Sequence, residues 1–211
     1  MKRISVILLT ILLSQFTSGQ NDPEAEAILD RFSSSALSAP SVSMNFRLVT
    51  VNPGEESRDT INGSIVMAKD NYMLELPGNI TWFNGSVSWN YLVPEKEVTI
   101  TRPGRKDDSF MSKPSSIFTL YKDGYKIRLL EETAASYTID LYPEDINSEL
   151  IRIRLSIDRK SASLKGAEYR RKDGVTIYLL VDSYDLRRSP DQSFFTFNPK
   201  EHRGVEVIDM R

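Results

Sequence analysis

The stretch "NGSVSWNYLVPEKEVTI", residues 84–100, carries the clearest β-hairpin signal in the chain. Asn84-Gly85 favours a tight type I′ turn, because both central residues of that turn need a positive φ. Side chains of a strand alternate between its two faces, so Trp89 and Tyr91 share one face, opposite a face of small polar residues. The pattern leaves two interpretations open: the aromatic side chains fill a closed core, or they line a space.

The same alternation continues on both sides of this stretch and predicts a meandering antiparallel sheet, because short strands follow one another with turn residues between them. The strands are predicted at residues 42–48, 61–67, 72–76, 80–82, 87–93, 98–100, 127–129, 137–141, 151–157, around Tyr169 and at 175–181. Residues 194–197 and 205–209 are predicted to add one or two more strands.

Two helices are predicted beside the strands. The first covers 22–37, with Asp22 as its N-cap and Pro23 at its first position. The second lies within 113–124, with Pro114 near its start and Gly124 beyond its end. Both are amphipathic, so we expect each to pack one apolar side against the sheet.

The first 20 residues have the pattern of a secretory signal peptide. A basic start is followed by a short apolar run and by small residues up to Gly19. We expect cleavage between Gly19 and Asn21 and a single mature domain over 21–211; an uncleaved N-terminal anchor is the alternative. Export of this kind points to the periplasm.

Composition excludes several classes of protein. The chain has no cysteine, which rules out disulfide bonds, thiolate catalysis and a lipid-modified cysteine. Its formal net charge is −2, and loss of Lys2 and Arg3 would make it −4. A nucleic-acid partner is therefore not expected, because phosphate binding needs concentrated positive charge.

Candidate catalytic residues are scarce. The one histidine, His202, lies in a loop by composition, and we expect it to be solvated. Adjacent carboxylates at 107–108, 131–132 and 144–145 point to opposite faces if they lie on strands, so they do not form an acid–base pair. We expect no enzyme activity, no metal and no cofactor.

The order of these elements resembles that of the periplasmic outer-membrane lipoprotein carrier family, LolA. The resemblance spans nearly the whole mature chain, and the block at 82–100 is its most diagnostic part. It rests on the N-terminal helix with Ile28-Leu29, "SVSMNF" (41–46), "INGSIVMAKDNYMLEL" (61–76), "WFNGSVSWNYLVPEKEVTI" (82–100), "PSSIFTLY" (114–121) and "FFTFNPKEHRGVEVIDMR" (194–211).

This resemblance implies a mainly β fold with an α-helical lid: an incomplete, half-open antiparallel β-barrel of about eleven strands. It implies a monomeric carrier that holds lipoprotein acyl chains in a hydrophobic cavity. Such a carrier takes its cargo from an ATP-driven exporter in the inner membrane and passes it to an acceptor at the outer membrane. The family often holds its lid shut with an arginine; in this sequence Lys69 lies at the matching position.

Alternation within the implied barrel predicts which side chains form the cavity. The predicted cavity residues are Phe46, Leu48, Met67, Tyr72, Leu74, Trp82, Trp89, Tyr91, Ile139 and Leu155, and the predicted lid residues are Ile28, Phe32, Phe118 and Tyr121. Two alternative functions remain open: a carrier or sensor of another amphiphile, such as a glycolipid or fatty acid, and a structural or interaction module with a filled core.

Overall fold

The computed structural model describes residues 21–102 and 113–211, so the predicted signal peptide lies outside the described residues. Twelve strands form one sheet in these ranges. They are β1 (Val42–Asn52), β2 (Ser57–Ala68), β3 (Asn71–Leu76), β4 (Asn79–Phe83), β5 (Ser88–Leu92), β6 (Glu97–Thr101), β7 (Tyr125–Glu132), β8 (Ser136–Pro143), β9 (Leu150–Asp158), β10 (Leu164–Arg171), β11 (Thr176–Asp185) and β12 (Glu206–Asp209).

The spatial order of the strands is β12-β6-β5-β4-β3-β2-β1-β11-β10-β9-β8-β7. Neighbours pair antiparallel except β12, which pairs parallel with β6. β7 and β12 are the two ends of the sheet and do not pair, so the barrel is open. This confirms the predicted half-open barrel with a helical lid, with twelve strands in place of about eleven.

The α-helix α1 (Pro23–Ser38) confirms the first predicted helix. The Asp22 side chain accepts hydrogen bonds from the backbone N–H groups of Glu24 and Ala25, as expected for an N-cap. The same residue ties the helix to the edge of the sheet: the Leu129 N–H donates to its second carboxylate oxygen at 3.2 Å. Its own N–H donates to the Ile127 carbonyl at 3.3 Å. The helix is thereby attached to β7.

The second predicted helix is wrong in type. The segment forms two short 3₁₀ helices, Pro114–Phe118 and Leu120–Lys122, which we call the lid segment together with Lys113. Thr119, between them, has a φ of −129°, and the first 3₁₀ helix has no side-chain N-cap hydrogen bond. Ser and Thr are weak helix formers because their hydroxyls compete for backbone groups, which agrees with the broken helix.

The main apolar core lies between one face of the sheet, here called the inner face, and the two covering elements, α1 and the lid segment. Helix and 3₁₀ side chains such as Phe32, Ile117 and Phe118 are fully or almost fully buried there. They lie in one apolar cluster with inner-face residues of β1–β3 and β7–β11. Burial of these apolar side chains provides most of the favourable free energy of folding in this part of the sheet.

The opposite, outer face carries a second apolar cluster near the other end of the sheet. It consists of Trp82, Tyr91, Val98 and Phe197. Phe197 belongs to the C-terminal segment, which continues into β12 and covers this part of the outer face. His202 lies in a loop, as predicted, but it is half-buried rather than fully solvated, because it stacks on Phe197 with 5.0 Å between ring centroids.

A network of ion pairs lies on the outer face of β8–β10. Asp140 is 1% exposed and accepts from Arg154 at 2.6 and 2.8 Å and from the Tyr142 hydroxyl at 3.0 Å. Arg152 lies 3.7 Å from the same carboxylate and also pairs with Glu168. Burial alone would raise the pKa of Asp140, but the hydrogen bonds from Arg154 and Tyr142 lower it overall.

Asp140→Asn is expected to lower the free energy of unfolding at pH 7 by about 1–3 kcal/mol, because two charge-assisted hydrogen bonds are lost. A carboxyl whose folded pKa is lowered contributes stability above its unfolded pKa of about 3.9, and that contribution is lost as the pH falls through the folded pKa. Urea unfolding of both proteins between pH 7 and pH 2 measures this difference. A gap between the two that does not shrink in acid would contradict the assignment.

Candidate functional site

A groove of about 780 Å³ opens at one end of the inner face, between the sheet and the lid segment. This volume lies within the ~300–1,000 Å³ typical of small-molecule sites. Its apolar lining consists of Leu48, Ile61, Leu120, Leu150, Ile153 and Ile177, and its polar lining of Thr50, Lys113, Ser116, Thr119, Asp123, Tyr125, Glu149, Tyr169 and Arg171.

The register of the sheet explains why these side chains meet. Leu48 and Ile61 face each other across the β1–β2 ladder. Ile177 of β11 lies opposite Tyr169 of β10, which in turn lies opposite Ile153 of β9. Residues paired across neighbouring strands point to the same face, so rows of residues from different parts of the chain form a continuous apolar floor.

The rim of the groove is charged, with both signs present. Arg171 pairs with Glu149 at 3.3 Å and with Asp173 at 2.8 Å. Such exposed ion pairs contribute only about 0–1 kcal/mol each to stability. Burial raises the pKa of Tyr125 and of Tyr169, so both phenols are neutral hydrogen-bonding groups at neutral pH. The groove therefore combines an apolar floor with a polar mouth, the arrangement that suits an amphiphile.

A small apolar cavity of about 30 Å³ adjoins the groove, and Leu48 lines both. Such a volume is on the order of one to a few water molecules, so it is far too small for an alkyl chain. Its lining is entirely apolar and consists of Met44, Phe46, Leu48, Ile65, Met67, Leu74, Leu76, Pro114 and Leu179. In this arrangement the lid segment is closed over the inner face, with Pro114 above the cavity.

The position of the Phe46 ring, which lines this cavity, depends on a glycine in β2. Gly63 pairs with Phe46 across the β1–β2 ladder. A Cβ atom at Gly63 would lie 2.6 Å from Cζ of Phe46 and 2.8 Å from Cδ2 of Leu76. Only glycine leaves room for the Phe46 ring in this position.

Seven of the ten predicted cavity residues belong to the inner-face core. Phe46, Leu48, Met67 and Leu74 line the small cavity, and Leu48 also lines the groove. Tyr72, Ile139 and Leu155 lie in the same apolar cluster but line neither space. Ligand contact by any of the seven stays a prediction, because the lid is closed.

The other three predicted cavity residues, Trp82, Trp89 and Tyr91, lie on the outer face, and their predicted placement beside Tyr72 is wrong. The β3–β4 turn has two residues, so Leu76 pairs with Asn79 and the even-numbered side chains of β3 share a face with the odd-numbered ones of β4. Tyr72 therefore lies beside Phe83, at 5.5 Å between ring centroids, while Trp82 points away.

The turn at Asn84-Gly85 also differs from its prediction. Phe83 pairs with Ser88 across a four-residue loop. Of Asn84 and Gly85, the predicted central residues of the turn, only Gly85 has a positive φ. The Asn84 side chain accepts from the N–H groups of Ser86 and Val87, which stabilises the wider loop. A type I′ turn is absent here.

The four predicted lid residues lie in the covering elements and are buried in the main core: Ile28, Phe32, Phe118 and Tyr121. Phe32 and Phe118 are in contact, with 5.5 Å between ring centroids. The Tyr121 hydroxyl donates to Oδ1 of Asp30 at 2.5 Å. Burial and this hydrogen bond raise the pKa of Tyr121 to about 12. These contacts fasten the lid segment to α1.

Contact between the lid segment and the β2–β3 turn is much weaker than its contact with α1. A pocket of about 240 Å³ separates the end of α1 and the lid segment from this turn, and Lys69 lines it. Within 21–102 and 113–211, the ion pair that links lid and turn joins Lys113 to Asp70 at 3.7 Å, and none involves Lys69. The position matching the family's lid arginine therefore makes no ion pair with any described residue in the closed state.

The prediction from sequence missed most of the groove. The sequence pattern places Ile61, Ile153 and Ile177 on strands but predicts none of them as a cavity residue. All three continue the alternation of the apolar side chains toward the strand ends. What was missing is the register, which shows that these ends meet beside the lid segment.

In the part of the chain that the structure describes, no group of three or more His, Cys, Asp or Glu side chains could hold a metal ion. No helix among the same residues is long and apolar enough to cross a membrane.

Comparison with known proteins gives a family match. The family model of the outer membrane lipoprotein carrier protein LolA matches residues 13–174. No curated protein sequence matches the chain.

Several solved structures are similar in fold. An uncharacterized conserved protein of Thermus thermophilus has a TM-score of 0.59 at 14% identity, covering 88% of this chain and 99% of that one. A LolA superfamily protein of Nitrosomonas europaea has a TM-score of 0.43 at 15% identity, with coverages of 82% and 97%. A putative outer membrane lipoprotein-sorting protein domain of Vibrio parahaemolyticus has a TM-score of 0.44 at 10% identity, with the same coverages.

Proposed function

The chain belongs to the family of the outer membrane lipoprotein carrier protein LolA, and we propose that it carries lipoproteins between the two membranes of a bacterial envelope. In this proposal the protein is exported, its mature part forms one domain, and it is a carrier with no enzyme activity. It takes lipoproteins from an ATP-driven exporter in the inner membrane and passes them to an acceptor at the outer membrane.

The observation that supports this proposal most is the groove beside the lid segment. Its floor is apolar and its rim is charged, and it adjoins the small apolar cavity through Leu48. An acyl chain that enters along the floor would leave its polar end at the rim, near Arg171 and Glu149. Opening of the lid segment would then join the groove and the cavity into one longer apolar space.

Such a carrier is needed because acyl chains do not cross water unaided. Each CH₂ group transferred from hydrocarbon to water costs about 0.8 kcal/mol, so several long chains together cost tens of kcal/mol. Carriage needs burial and release but no bond-making, which agrees with the scarcity of catalytic candidates in the sequence.

The proposal is tested by adding the purified mature protein to inner-membrane vesicles that contain the exporter, ATP and a labelled lipoprotein. We expect lipoprotein in the supernatant, in a complex with the carrier. Recovery of no lipoprotein, by a protein that is folded by circular dichroism, would refute the transport role.

Ile61→Glu is expected to weaken binding of a fluorescent fatty acid about tenfold or more, because it places a charge on the apolar floor of the groove. Ile61 is 44% exposed in the closed state, so the variant should fold. Leu130→Glu is the matched control: Leu130 is 51% exposed on β7, outside the groove, and should leave binding unchanged. Equal weakening in both variants would contradict a specific role of the groove.

A carrier of another amphiphile is the second candidate, and the polar mouth of the groove fits a glycolipid or fatty acid as well as a lipoprotein. Mass spectrometry of lipid extracted from the protein purified from its own envelope separates the two candidates. Co-purified glycolipid without lipoprotein would favour the second. A protein that binds neither lipid nor a hydrophobic probe would instead be an interaction module with a filled core.

A further inference from the structure

The outer face of the sheet carries a concentration of positive charge on β7, β9 and β10. The cations of this outer basic surface are Lys126, Arg128, Arg152, Arg154 and Arg170. Two carboxylates, Asp140 and Glu168, lie among them, which leaves three positive charges without compensation. This contrasts with the formal net charge of −2 of the whole chain.

Both carboxylates are already engaged and cannot neutralise the remaining cations. The oxygens of Asp140 accept from Arg154 and from the Tyr142 hydroxyl. Glu168 pairs with Arg152. Within the described residues, Arg170 therefore has no ion pair, and its side chain is exposed to solvent.

Arg152 and Arg170 face each other directly across the β9–β10 ladder. Like charges in this position repel, since the Cα atoms of such a pair are only about 4.5–5.5 Å apart. The Nε–H of Arg152 is also buried without a hydrogen-bond partner among the described residues. An oxyanion bound between the two guanidinium groups would relieve the repulsion and could accept from both groups at once.

We propose that the outer basic surface holds a binding site for an oxyanion of the phosphate class, with Arg152 and Arg170 as its main ligands. The phosphate group can be free or can belong to a lipid headgroup. The site lies on the opposite face of the sheet from the groove, so it does not depend on the proposed carriage of acyl chains.

The test is calorimetric titration of the full mature protein with sodium phosphate, against sodium chloride of equal ionic strength. We expect saturable phosphate binding that Arg170→Gln weakens about tenfold, because one charge-assisted hydrogen-bonding group is lost. Arg47→Gln is the matched control. It removes one exposed cation from the same face of the sheet, where Arg47 pairs with Asp182, and should change the affinity little.

A vesicle arm distinguishes the two sources of the phosphate group. Cosedimentation with phosphatidylglycerol vesicles but not with phosphatidylcholine vesicles, reduced by Arg170→Gln and by inorganic phosphate, would assign the site to anionic headgroups. Binding of inorganic phosphate alone would assign it to the free ion. Phosphate binding no stronger than that of chloride, or equal weakening by the two arginine variants, would overturn the proposal.

Discussion

Trp82→Ala is expected to lower the free energy of unfolding by about 3–5 kcal/mol, the usual cost of removing a large buried aromatic side chain. Trp82 is 7% exposed and packs edge-on against Phe197, with 5.6 Å between ring centroids. Its loss would leave a cavity between β4 and the C-terminal segment. Urea unfolding followed by far-UV circular dichroism measures the change.

The same variant tests the assignment of faces. Trp82 lies on the outer face. Under conditions in which the variant is folded, it should therefore bind a fluorescent fatty acid as tightly as the unchanged protein does. Trp89→Ala serves as the comparison, because Trp89 is only half-buried beside the same cluster and its loss should cost less stability. A Trp82→Ala protein of normal stability that no longer binds the probe would show that Trp82 lines the ligand site after all.

Covalent tethering of the lid segment to the β2–β3 turn is expected to weaken ligand uptake, because the ligand is then confined to the open groove. The small cavity of about 30 Å³ has no room for an alkyl chain, so a chain bound in the groove can extend beneath the lid segment only if this segment moves. Lys113→Cys combined with Asp70→Cys replaces an exposed ion pair of 3.7 Å, which joins the lid segment to the β2–β3 turn, with two thiols. The chain has no cysteine of its own, so a bifunctional maleimide reacts only there.

Uptake of the fluorescent fatty acid before and after cross-linking gives the result. The matched control combines Arg47→Cys with Asp182→Cys and is cross-linked in the same way. In the unchanged protein, Arg47 and Asp182 form an ion pair of 2.9 Å on the outer face, far from the lid segment. Cross-linking there should leave uptake unchanged. Undiminished uptake by the lid-tethered protein would show that ligands use the open groove alone and that the lid does not gate binding.

Much of the fold could be predicted from sequence. The N-cap at Asp22 and the apolar stripe of α1 are local signals, because helix capping depends on a few neighbouring residues. The positions of the strands are local in the same way, since alternation with period 2 needs only the strand itself. The type of the lid helices was less accessible, because weak formers such as Ser115, Ser116 and Thr119 leave the outcome to packing.

Local signals did not decide which face of the sheet each strand presents to the core. Trp82, Trp89 and Tyr91 have the size and spacing of cavity residues, but a two-residue turn at Pro77-Gly78 reverses the parity between β3 and β4. A one-residue difference in register moves every side chain of a strand to the other face. The turn length at this hairpin was the signal in the sequence that could have corrected the assignment.

By itself, the sequence determined the position of α1 and of most strands, the absence of thiol chemistry, and a resemblance that the family match supports. The predicted strand at 194–197 is wrong, because Gln192–Phe195 forms a 3₁₀ helix. The tertiary structure alone decided that Leu48, Ile61 and Ile177 form one groove, that the C-terminal segment covers Trp82, and that Arg170 faces Arg152. The physical reason is that such contacts join residues far apart in the chain. They depend on strand order and register, which no single segment of the sequence contains.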